Sequence, residues 1–102
     1  MKGTEVLKAA EMQINGQRQK DYGKPERNLG IIAALWSDYK GIKFSPVDVA
    51  MMMSLLKIAR VAGGGTDDCF IDLAGYAALG GEAFGEKKND KNDQSSCVSG
   101  KQ

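Results

Sequence analysis

The sequence predicts an all-α domain of four helices over residues 4–84, followed by a polar tail over 85–102. Three observations predict it. Apolar residues recur at three- and four-residue spacing in four separate stretches. Each stretch is bounded by Gly, Pro, Ser or Thr where helices start and stop. No run alternates apolar and polar residues with the β-branched enrichment of a strand.

The first helix is expected to be capped by Thr4, with Val6, Leu7, Ala10 and Ile14 along its inner face, and to end near Gly16 or a few residues later. The second, "PERNLGIIAALWSDYK", opens on Pro25, whose missing N–H costs nothing at that position. It aligns Leu29, Ile32, Leu35, Trp36 and Tyr39 on one face, and Gly41 is a natural stop. The third carries the clearest start signal: Ser45 as N-cap, Pro46 in the first position and Asp48 in the third. It continues through "VAMMMSLLKIARVA" to the glycines at 63–65, and Met51, Met52 and Met53 are read mostly as core. Thr66 caps the fourth helix, and Asp67 and Asp68 favour its N-terminal dipole. Its body, "CFIDLAGYAALGGEAF", is rich in Ala and Gly, which let helices approach closely, so it is expected in the middle of the packing. The short Gly-rich link makes helices three and four an antiparallel hairpin. The tail has almost no apolar content, and its composition predicts disorder.

Composition limits function. The chain has 102 residues, 42% hydrophobic, with a formal charge of +1. A domain this short hides only about 60–65% of its unfolded surface, which favours a homodimer or higher homo-oligomer. A neutral chain projects no field toward nucleic acid or membrane, so nucleic acid is an unfavoured partner and electrostatic function must come from local clusters. Cys69 and Cys97 match no metal or redox spacing; Cys69 reads as a small core residue. The absence of a signal-like or spanning apolar run leads to the expectation of a cytoplasmic protein with no membrane partner. No histidine exists, which excludes His-based chemistry, and no Ser or Cys nucleophile has a visible base.

Two local clusters remain. "RQKDYGKPERN", residues 18–28, gathers Arg18, Lys20, Lys24 and Arg27 around the start of helix two, whose free N–H groups already attract anions. Tyr22 can stack on a ring and Asn28 can read a polar edge. The plain alternative is a solvated turn. Asp48, Lys57 and Arg60 interrupt the apolar run of helix three, while Asp68, Asp72 and Tyr76 stand at i, i+4 and i+8 along one face of helix four, whose start neighbours the Lys57 and Arg60 end of helix three. Either Lys57 or Arg60 bridges Asp68 or Asp72 to tie the hairpin together, or these residues form a polar wall toward a ligand.

The blocks "RQKDYGKPERNLGIIAALWSDYKG", "SPVDVAMMMSLLKIAR" and "DDCFIDLAGYAALGGE" resemble a family of small phage and prophage proteins of uncharacterised function, over roughly residues 17–82. That family in turn looks similar to the all-α nucleotide pyrophosphatases of the MazG and dUTPase type. The resemblance implies a MazG-like helical bundle, a phosphate-bearing ligand, self-association and Mg²⁺ held by acidic residues, here Asp48, Asp68 and Asp72. The relatives' E-x-x-E and E-x-x-D motifs are not reproduced, since Asp68 and Asp72 have three residues between them. The expectation is therefore a phage-type binder of a nucleotide or nucleotide-derived molecule without hydrolysis, a possible counter-defence sponge of a host signalling nucleotide in the host cytoplasm. Arg18, Lys20, Lys24, Lys57 and Arg60 would meet phosphates, and Tyr22 or Tyr76 the base or ribose. The alternatives are a Mg²⁺-dependent nucleoside triphosphate pyrophosphatase and a module that docks a host protein.

Overall fold

A computed structural model describes residues 1–16 and 25–91, the side chains of 25–27 and 87–91 excepted. Four helices make up most of it: α1 (Gly3–Asn15), α2 (Pro25–Lys40), α3 (Pro46–Ala62) and α4 (Asp67–Lys91). Among the described residues there is no strand, and no helix is long and apolar enough to cross a membrane.

The α3–α4 hairpin is the centre of the fold. Ser45 opens α3 from an extended backbone: its Oγ accepts the Asp48 N–H at 3.0 Å, and Asp48 Oδ2 accepts the Ser45 N–H at 2.8 Å. Two otherwise orphaned donors are satisfied reciprocally, as the sequence suggested. At the far end the Gly63 N–H donates to the carbonyls of Ala59 and Arg60, and Gly64 turns the chain at φ +94°. Gly65 is required sterically, because a Cβ there would lie 2.7 Å from Cys69 Sγ and 3.0 Å from the Arg60 carbonyl oxygen. The chain then enters α4, where the Thr66 carbonyl accepts the Cys69 N–H at 3.0 Å.

Contacts across the hairpin fix its direction. Lys57 meets Asp72, and a Cβ on Gly80 would come within 3.0 Å of the Ala50 Cβ, so the two helices run antiparallel. Their backbones approach closely where Ala50 faces Gly80. The α4 helix also packs on α1 and α2, which gives it the central position expected from its small residues.

One core cluster joins the elements. Leu29 and Ala33 from α2, Val49 and Ala50 from α3, and Leu79 from α4 are buried together, with Ile14, Ile32, Trp36, Phe44 and Met53 packed around them. Val49 has no exposed surface. The α2–α3 turn is clamped by Ser37, whose Oγ donates to the Ala33 carbonyl at 2.7 Å and accepts the Phe44 N–H at 2.8 Å. Phe44 then meets Trp36 edge to face, ring centres 6.0 Å apart. Gly41 makes that turn at φ +72°, its N–H donating to the Ser37 carbonyl at 2.8 Å.

Several expectations need correction. Thr4 does not cap α1; the helix begins at Gly3, and Glu5 Oε1 reaches back to accept the Lys2 N–H at 2.9 Å. Leu35 and Tyr39 do not belong to the buried face of α2. Ala33 and Ser37 take the inner positions there, leaving Tyr39 87% exposed. Of Met51, Met52 and Met53, Met53 packs on the core cluster, because successive helical residues point about 100° apart; Met52 is exposed, and Met51, also largely exposed, turns only its methyl toward Gly80 of α4. The α4 helix runs past residue 84 to Lys91, so residues 85–91 are helix and not tail. Glu86, Lys87 and Lys88 are strong helix formers, and nothing between Gly85 and Lys91 stops the helix.

Gly41→Ala should cost about 1–2 kcal/mol, the penalty of a Cβ in left-handed backbone, read as a lower urea midpoint with unchanged slope. Val49→Ala should cost about 2 kcal/mol in the same experiment, by leaving a cavity where no solvent reaches.

Candidate functional site

A cleft of about 180 Å³ opens where the last turn of α1 crosses the α3–α4 hairpin, lined by Gln13, Ile14, Lys57, Asp72, Gly75, Tyr76 and Leu79. Each element contributes for a local reason. The four α4 residues stand at i, i+3, i+4 and i+7, which is one helical face. Gly75 has no neighbour within 4 Å of where its Cβ would stand, so its small size leaves open space. The α1 helix ends at this cleft: Gly16 closes it by donating its N–H to the Met12 carbonyl at 2.8 Å, and a Cβ at Gly16 would approach that oxygen to 2.6 Å.

The polar centre is the Lys57–Asp72 ion pair, Nζ to Oδ2 at 2.9 Å, with the lysine side chain 16% and the aspartate 30% exposed. The hairpin-tying bridge expected from sequence is thus present, between one of the candidate pairs, and it stands in the wall of a cleft. The pair is neutral overall yet offers a cation and a carboxylate side by side. Tyr76, half-buried, adds a ring and a hydroxyl one turn further along α4, and Gln13 adds an amide from α1. This combination can orient a small polar molecule: an anionic group toward Lys57, a donor toward Asp72, and a flat ring against Tyr76.

Other predicted residues fall elsewhere. Asp48 caps the start of α3 and is exposed. Since Ala50 faces Gly80 and Lys57 faces Asp72, Asp48 stands about 15 Å along the hairpin from Asp72 and about 20 Å from Asp68, at 1.5 Å per residue. Asp68 and Arg60 are exposed and outside the cleft lining. Asn28 is half-buried near the start of α2, also outside the lining. Arg27 lies in the first turn of α2, with its side chain outside the described set. Arg18, Lys20, Tyr22 and Lys24 lie outside the described residues, as does Cys97; Cys69 is a buried free thiol. Among the described residues no three His, Cys, Asp or Glu side chains are grouped to hold a metal ion. The Asp48, Asp68 and Asp72 set therefore does not fit one Mg²⁺. Distance separates Asp48 from the others, and Asp72 already has Lys57 as a partner.

Gln13, Ile14, Gly75 and Leu79 were not anticipated as site residues. The i, i+3, i+4, i+7 face of Asp72, Gly75, Tyr76 and Leu79 was readable in the sequence. The crossing of α1 over it was not.

Among the described residues, fold and cleft together define an all-helical domain with a half-polar cleft walled by an internal ion pair. Residues 5–84 match the family model described as a domain of unknown function, DUF6378, and the chain belongs to that family. The chain is similar to the Gene 55 protein of Mycobacterium phage L5, 51% identical over 76 residues that cover 72% of this chain and 49% of the relative. It is likewise similar to the Gene 55 protein of Mycobacterium phage D29, 48% identical over 73 residues that cover 71% of this chain and 48% of the relative. The chain thus spans about half the length of the curated relatives it matches. The expected kinship with phage proteins is met. No solved structure matches.

A double-mutant cycle of Lys57→Met and Asp72→Asn should give a coupling of about 1 kcal/mol or less, the range of solvent-reached ion pairs. Urea denaturation of the four proteins measures it, and the double variant should keep its fold.

Proposed function

We propose that the cleft binds a nucleotide or nucleotide-derived small molecule without hydrolysing it. The observation that carries this reading is the placement of Lys57, Asp72 and Tyr76 in one hollow at the end of α1. At about 180 Å³ the cleft is smaller than the ~300–1,000 Å³ of typical small-molecule pockets, so it suits one moiety, a base or a ribose phosphate. The rest of such a ligand would extend toward the basic connector. The cations of "RQKDYGKPERN" and the resemblance to MazG-type pyrophosphatases read in the sequence are what favour this ligand class. The charge arrangement supports binding over cleavage: Asp72 is engaged by Lys57, and Asp48 stands far along the hairpin in the cap of α3. Among phage relatives, a binder of this kind would act by sequestering a host nucleotide.

Thermal unfolding of the purified chain with each NTP and dNTP, with and without Mg²⁺, tests the reading. A ligand at 100 times its dissociation constant should add about 2.7 kcal/mol of stability. Tyr76→Ala and Lys57→Met should each weaken binding about tenfold or more, or roughly 1.4 kcal/mol, while preserving the helical spectrum. Pyrophosphate release abolished by Asp72→Ala would move the assignment to the pyrophosphatase. No shift with any nucleotide would remove the small-molecule reading.

A further inference from the structure

The outward side of α3 is the least expected surface of the molecule. From Val49 to Ala62 the helix carries two charges, Lys57 and Arg60, and Lys57 faces inward to Asp72. Met52, Leu55, Leu56 and Ile58 are 41–63% exposed, and Ala59 and Ala62 are exposed beside them, whereas Met51 turns its methyl toward Gly80 of α4. A helix that is apolar all round is normally covered on all sides. The bundle covers one side of α3.

We propose that a second copy of this chain covers the other side, its α3 packed antiparallel on the first across a two-fold axis near residue 57. Three features favour an identical partner. Met52, Leu55, Ala59 and Ala62 are spaced three, four and three, the seam along which two helices pack lengthwise. Two-fold antiparallel pairing centred at residue 57 lays Met52 over the partner's Ala62 and Leu55 over the partner's Ala59. Each large side chain then meets a small one, and on the two flanks of the seam Leu56 stands beside the partner's Leu56 and Ile58 beside the partner's Ile58. The stripe is self-complementary in volume. It is also self-complementary in charge: a two-fold axis sets a face against its own copy, which penalises charged faces and not this uncharged one. Half-exposed side chains of this size offer roughly 80–100 Å² each. With the two alanines the face supplies on the order of 500 Å² per copy, and a pair reaches the ~1,000 Å² at which specific interfaces begin. The surface is separate from the cleft, so the pairing stands or falls independently of the nucleotide reading.

Sedimentation equilibrium of the full chain at about 100 µM, where an association of ~10 µM is largely formed, decides the matter. The wild type should show twice the 10.9 kDa chain mass. Leu55→Lys combined with Ala59→Lys should halve that mass and leave the far-UV helical signal unchanged. Leu7→Lys, at an exposed position on α1, should change neither. The register has its own test in a Cys97→Ser background. A short thiol cross-linker should couple a mixture of Met52→Cys and Ala62→Cys chains into a covalent pair, and couple neither chain alone. This assay decides the question even if the double-lysine variant fails to fold. A monomeric wild type, a dimer indifferent to the two lysines, or equal cross-linking of each cysteine chain by itself would overturn the proposal. A monomer would leave the face to a different protein.

Discussion

The close approach of α3 and α4 governs everything else in this molecule. Where Gly80 faces Ala50, a carbon added to the glycine would stand 3.0 Å from the Ala50 Cβ, tighter than ordinary contact, and the two backbones come together there. Because that contact fixes the separation and register of the hairpin, Val49 is driven fully into the interior and Leu79 meets Leu29 and Ala33. Lys57 arrives opposite Asp72 for the same reason. The glycine link at 63–65 reinforces the register from the other end, since Gly65 lies against the Arg60 carbonyl and the Cys69 thiol. The remaining helices pack onto this pair. The α1 helix lies on α4, and α2 covers the α3 side through Leu29 and Ala33.

The cleft is a by-product of the same geometry. The hairpin leaves one face of α4 uncovered between Asp72 and Leu79, and the end of α1 crosses it without filling it. Gly75 keeps the floor open. Core packing and cleft lining are therefore carried by opposite ends of one helix face. Leu79 belongs to both the core and the cleft, while Asp72 and Tyr76 belong to the cleft.

The sequence announced helix starts and stops better than it announced burial. Ser45, Pro46 and Asp48 define one end of α3 through local hydrogen bonds, and local signals survive tertiary context. Gly41 and Gly64 mark turns because backbone chirality demands them. Which side of α2 faces inward was not readable, because Ala33 and Ser37, not the larger Leu35 and Tyr39, fit the narrow strip beside α3. The Lys57–Asp72 pair was readable once the hairpin was inferred. Its position beside Gln13 was not, since that depends on how α1 docks across a distance in sequence that no periodicity encodes. The three-aspartate grouping was misleading for a related reason: residues that share a composition-level role can sit at opposite ends of an antiparallel pair.

One consequence of the ion pair at the cleft concerns selectivity. Lys57 is not a vacant cation; it holds a carboxylate supplied by its own chain, at an effective concentration that a freely diffusing anion does not match. A simple anion gains little by evicting that incumbent. In the proposed reading, a guest carrying both an acidic group and a flat ring would trade places with Asp72, with Tyr76 and Gln13 in the cleft wall to compensate the exchange. Under that reading the bridge would work as a threshold, favouring molecules with a second point of attachment over simple inorganic ions.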